Sequence, residues 1–182
     1  MKAAPEVTTQ VSRVMIAAPI QVVWDTLTQQ GKVLPFFFGS VMHTTTFAPG
    51  SPIRMRTPNG KYDAVVGDVL ELDPPHRFSM TFKFTTLDDP VCKITHELRE
   101  VDGQTEYTLT AEQVPVGTKT EKNMKGGGKF IVNEVKRIVE TGKPSWLART
   151  IMISGKLTGF MTPKSCRVEN WPMDRSIELP GT

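Results

Sequence analysis

Arg77-Phe78-Ser79-Met80-Thr81-Phe82-Lys83-Phe84-Thr85 alternates apolar and polar residues without a break. A period of two is the mark of a strand with one face on a core and the other toward water. Phe78, Met80, Phe82 and Phe84 take the inner face, and Ser79, Thr81 and Lys83 the outer one. The next run, from Val91 to Val101, repeats the pattern: Cys92, Ile94, His96 and Leu98 lie inside, and Lys93, Thr95, Glu97 and Arg99 outside. Tyr107, Leu109 and Ala111 continue it. Turn residues separate these runs at Pro49-Gly50, Pro58-Asn59-Gly60, Asp73-Pro74-Pro75, Asp88-Asp89-Pro90 and Asp102-Gly103, so Val41 to Val114 reads as an antiparallel meander with one apolar face to cover.

On the N-terminal side, Val14 to Ala17 reads as a strand, and Pro19 suits the first position of a helix. Ile20, Val23, Trp24 and Leu27 recur at helical spacing and predict a short helix with one buried face. A second short helix is expected in Lys32 to Phe38. On the C-terminal side, Ile131, Val135, Ile138 and Val139 form a stripe on a predicted helix over Lys129 to Thr141, terminated by Gly142 and Pro144. Val116 to Gly128 reads as a polar loop ending in three glycines. Trp146 to Phe160 reads as another amphipathic segment, and the chain beyond Met161 as a tail.

These elements predict an α+β helix-grip fold: a curved antiparallel sheet of about six to seven strands wrapped on a long C-terminal helix, with two short helices after the first strand. The expected organisation is an arm over residues 1–10, the helix-grip domain over 11–143 and an accessory segment over 144–182. A chain of 182 residues has room for one such domain.

The run Ile16-Ala17-Ala18-Pro19-Ile20-Gln21-Val22-Val23-Trp24-Asp25-Thr26-Leu27-Thr28 resembles the opening motif of the SRPBCC superfamily, which includes the START and birch-allergen-like folds. It is most similar to domains related to the activator of the heat-shock-protein-90 ATPase. Gly67 to Phe78, with its Asp73-Pro74-Pro75 turn, Gly103 to Leu109, and Val135 to Gly142 resemble three further motifs of that group in the same order. The resemblance spans about residues 10 to 143. The tryptophan that often opens the family's last helix is absent, and by count back from Gly142 its place is held by Gly128.

Composition narrows the function classes. The excess of 22 Lys and Arg over 19 Asp and Glu is too small to imply nucleic acid or an acidic membrane. No segment approaches 18 apolar residues and no apolar leader follows Met1, so membrane insertion is not expected and the cytoplasm is the expected location. Cys92 and Cys166 form no framework, no cysteine or histidine spacing suggests a metal, and no cofactor is expected.

Lys125-Gly126-Gly127-Gly128-Lys129 lacks the leading glycine and trailing hydroxyl of a phosphate loop, and reads as a hinge. The stretch from Gly117 to Lys143 nevertheless carries seven Lys or Arg against three Glu, which makes Lys119 to Lys129 a candidate contact for an acidic partner. Trp171 in the tail is a candidate anchor for the same contact, or packs the tail on the domain.

Phe36, Phe37, Phe38, Met55, Met80, Phe82, Phe84, Tyr107 and Phe130 either fill a dry core or line a cavity between sheet and helix. The fold resemblance favours the cavity. With Ile94, His96, Leu109, Val135 and Ile138 they form the expected wall of a site for a small apolar ligand such as a lipid, polyketide or aromatic. Within it His96 and Tyr107 would be the polar contacts. Protein interaction, as in ATPase-activating domains, is the second expectation. The third is cofactor-free, cyclase-like acid–base chemistry, for which His96 is the one candidate base. The oligomeric state is left open.

Overall fold

The computed structural model describes residues 6–157 and 162–180, with only the backbone given for 155–157. Met1 to Pro5, Phe160 and Met161 therefore lie outside the described residues. The fold is α+β with helix-grip architecture: an eight-stranded, all-antiparallel sheet curls around one long helix. In sequence order the elements are β1 (Val7–Ile16), α1 (Ile20–Leu27), β2 (Val33–Leu34), β3 (Ser40–Thr44), β4 (Pro52–Arg56), β5 (Asp63–Asp73), β6 (Arg77–Phe84), β7 (Cys92–Val101), β8 (Gln104–Pro115), α2 (Lys119–Thr141) and α3 (Trp146–Leu157).

Within the sheet β2 to β8 pair in chain order, and β1 adds to β8 in a register running from Val7 opposite Pro115 to Ile16 opposite Thr105. The residues expected as an N-terminal arm thus enter the sheet from Val7. The count exceeds the expected six to seven because a two-residue strand, Val33–Leu34, forms the far edge. After it comes a single 3-10 turn, Pro35–Phe37, where a second short helix was expected. Phe38 and Gly39 take left-handed conformations and the Gly39 N–H donates to Leu34 O at 2.9 Å, which closes the chain after one turn.

Cross-strand register builds the inner face in rungs. Phe78 lies opposite His96, His96 opposite Leu109, and Leu109 opposite Ser12; the next rung runs from Met80 through Ile94 and Ala111 to Gln10. Trp24 of α1 is 7% exposed and meets Phe78 edge-on at 5.9 Å, so the helix face read from its spacing closes one end of the core. Gly67 on β5 allows the close approach of β6, since a Cβ there would fall 1.8 Å from Thr81 O.

The outer face is drier than the alternation predicts. Ser79, Thr81 and Thr95, expected to face water, are buried. They are short side chains beneath longer ones, such as the Lys93–Glu112 pair at 3.1 Å, and Thr81 Oγ1 accepts from the Asp68 N–H at 2.8 Å. Around β4 and β5 the tail covers the sheet. Arg54, fully buried, donates to the carbonyls of Trp171 (3.2 Å), Pro172 (3.0 Å) and Arg175 (2.6 Å), while Asp68 Oδ2 accepts from the Ile177 N–H at 2.6 Å. Trp171 and Ile177 pack on Val66. Trp171 therefore anchors the tail internally and is not offered to a partner.

α2 is ten residues longer than expected: it starts at Lys119, and all but the first three residues of the segment read as a polar loop ending in glycines are helical. Its start has chemical support. Thr118 Oγ1 accepts from the Glu121 N–H (3.2 Å), Glu121 Oε2 accepts from the Gly117 N–H (2.8 Å), and Asp89 Oδ2 accepts from the Thr120 N–H (3.0 Å). Three amides at the start of the helix thus find side-chain acceptors. At its other end Gly142 takes the left-handed conformation and its N–H donates to Ile138 O, as the sequence predicts. No helix among the described residues is long and apolar enough to cross a membrane.

Candidate functional site

Between the inner face of the sheet and the N-terminal half of α2 lies a cavity of about 610 Å³. Met80, Phe82 and Phe84 of β6, Ile94 and His96 of β7, and Leu109 of β8 form its floor. Phe37 of the 3-10 turn and Phe130 of α2 stand at its sides. These eight, together with Phe38 at the rim, are the nominated residues that line the cavity. The other five lie elsewhere. Phe36, Met55, Tyr107 and Val135 are buried in solid core, and Ile138 packs against that core. Alternation and helical spacing identify an inward face, but an inward side chain meets either another side chain or a void, and that depends on what stands opposite.

What stands opposite the floor is the glycine run. Gly126, Gly127 and Gly128 line the cavity together with Met124 and Ile131. No side chain descends from the three glycines, so this part of the helix does not fill the space beneath it. At Gly128 the fit to β1 is tight: a Cβ there would come 2.9 Å from Ser12 Oγ. The missed signal for this roof was Thr118-Lys119-Thr120-Glu121, a capping-box pattern that marks a helix start ten residues before the glycines end.

The rim is marked by Phe38, 43% exposed and stacked on Phe130 at 4.8 Å with planes 14° apart, and by the exposed Lys122 and Asn123. Gln10 and Ser12 of β1 add polar groups to the wall. The Gln10 Nε2 donates to Glu121 O at 3.2 Å, and its Oε1 is buried with no partner among the described residues.

His96 is the polar feature of the floor. Its ring stacks on Phe78 at 4.2 Å, and its Nδ1 lies 2.8 Å from the Tyr107 hydroxyl, which is itself outside the cavity. Burial pulls the imidazole down to about 3 and pushes the Tyr107 phenol up, so both are neutral at physiological pH. Cys92, inward as read, is fully buried and its thiol is pushed up to about 12 by the same desolvation, which leaves it a poor nucleophile. Two carboxylates of the sheet region have structural partners: Asp89 holds the α2 start, and Glu97 pairs with Arg77. Among the described residues no group of three His, Cys, Asp or Glu side chains is placed to hold a metal.

Comparison with known proteins agrees with this architecture. DynU16, from the dynemicin biosynthetic locus, superposes with a TM-score of 0.62 at 23% identity over 75% of this chain, which spans 48% of that one. An HSP90 activator from Plasmodium falciparum gives 0.59 at 19% identity, covering 75% of this chain and 97% of the other. CalU16 from Micromonospora echinospora gives 0.58 at 14%, covering 87% and 98%. At such identities the likeness shows the fold. No curated protein matches the chain. The family model described as activator of Hsp90 ATPase homolog 1-like protein matches residues 17–140, which is more than half of the sequence. The chain belongs to the activator of Hsp90 ATPase homolog 1-like family.

Proposed function

We propose that the protein binds a small, largely apolar molecule in the cavity between the sheet and α2. The observation that carries this reading is the cavity itself: about 610 Å³, floored by aromatic and thioether side chains and roofed by three glycines. Pockets for small organic ligands run from roughly 300 to 1,000 Å³ and combine apolar walls with a few polar groups. Lipids, polyketides and polycyclic aromatics fit that chemistry. The likeness to DynU16, a protein of a biosynthetic locus, is in keeping with it. Native mass spectrometry and thermal shift against those three classes test the proposal. A stabilising ligand is expected; if none co-purifies and none raises Tm, the reading is lost.

A second reading, a protein-interaction module, has its own observation. Lys119, Lys122, Lys125 and Lys129 are all exposed, and they recur every three or four residues along α2. Such spacing places them along one side of the helix. Membership in a family described as ATPase activators supports an acidic protein partner for them. Reversing Lys119, Lys122 and Lys125 to Glu should change the proteins recovered in a pull-down, and an unchanged set would count against the stripe. The cyclase-like reading has less support: an imidazole at about 3 is a weak general base near neutrality, and Lys122 at the rim is the other titratable group of the wall.

A further inference from the structure

The Tyr107 hydroxyl is fully buried, and its hydrogen-bond partner among the described residues is His96 Nδ1 at 2.8 Å. A buried phenol has a proton to donate, and leaving it undonated costs roughly what a lost hydrogen bond costs. Donation to Nδ1 satisfies it. A ring nitrogen that accepts carries no proton, so in the neutral imidazole the proton sits on Nε2. The reverse arrangement, Nδ1–H donating to Tyr107, would strand the phenol proton in the core.

Nε2 has no hydrogen-bond partner among the described residues. It is also not among the fully enclosed unpartnered atoms, which are Gln10 Oε1, Thr44 Oγ1 and Ser79 Oγ. His96 lines the cavity whereas Tyr107 does not, and the ring is clamped by Phe78 at 4.2 Å with planes 10° apart. The free edge of a held ring is thus turned to the void.

We infer that the cavity offers one pre-set neutral donor, His96 Nε2–H, and so selects apolar molecules that carry an uncharged acceptor oxygen, a ring carbonyl above all, over the matching hydrocarbons. This rests on the binding reading and narrows its ligand class. Burial keeps the ring uncharged, and the lysine of the wall, Lys122, is exposed at the rim, so a carboxylate brought to His96 would be desolvated without a cation. A carbonyl loses far less on the same path.

Two measurements test it. Long-range proton–nitrogen NMR of the unliganded protein should find the His96 proton on Nε2; a proton on Nδ1 would overturn the inference. Binding of anthraquinone and anthracene, which share a ring skeleton and differ in the carbonyls, should then be compared with the double variant His96→Phe/Tyr107→Phe. That variant removes both hydrogen-bonding groups and leaves neither orphaned. The preference for the quinone over the hydrocarbon should fall by about 3–10-fold in the variant, the yield of one net hydrogen bond. If both compounds bind and the preference does not change, the donor has no role and the binding reading stands without it. If neither compound binds the wild-type protein at all, the preference inferred here is overturned, while the binding reading keeps its own test against lipids and polyketides.

Discussion

From Ile131 onward, α2 lays Ile131, Val132 and Val135 into the core against β1, β8 and α1, whereas the stretch before Lys129 carries Gly126, Gly127 and Gly128 along the cavity. The first half has poor intrinsic helicity, since each glycine costs about 1 kcal/mol against alanine in a helix interior. It is held by the Thr118, Glu121 and Asp89 acceptors at one side, by the buried Met124 within it, and by the packed half at the other. One helix can therefore be a core element along half its length and a cavity roof along the rest, and the void sits where side chains were left out.

The largest expected effect lies in the packed half. Val135 is fully buried, so Val135→Asp puts a carboxylate into the core and should lower unfolding free energy by at least ~3 kcal/mol in urea titration. A loss below ~1 kcal/mol would mean that this half is not the anchor.

Next comes the floor under the roof. The folded-state pKa of His96, about 3, lies below the ordinary value of 6.5, so the unfolded chain binds more protons between those limits. Stability from the neutral ring is complete above about pH 6.5 and is lost as pH falls toward 3, at up to about 1.4 kcal/mol per pH unit. Urea midpoints between pH 7 and 4 should fall more steeply for the wild type than for His96→Phe/Tyr107→Phe. Parallel slopes would show that His96 is not desolvated.

The smallest effect distinguishes glycines within the roof. An alanine Cβ at position 126 meets nothing within 4 Å, so Gly126→Ala should stabilise by about 0.5–1 kcal/mol. At position 128 it meets Ser12 Oγ at 2.9 Å, so Gly128→Ala should gain nothing until Ser12→Ala is added. Equal gains at both sites in thermal melts would remove the close contact with β1.

The sequence by itself determined the sheet and the faces of its strands. Phe78, Met80, Phe82, Ile94, His96, Leu98, Tyr107 and Leu109 all point inward and are all buried, because alternation is a property of each strand's own backbone. For the same reason the buried side of α1 and the stop at Gly142 could be read from spacing and a single residue. Tertiary structure decided the rest. Glycine is a poor helix former only on average, and three of them stay helical because caps and a packed neighbour hold them. Trp171 left the surface because Arg54, more than a hundred residues earlier, draws its carbonyl down onto the sheet. Whether an inward residue lines a void, as Phe82 does, or fills core, as Met55 does, depends on the element across from it. That is a distance between parts of the chain far apart in sequence, which no local pattern records.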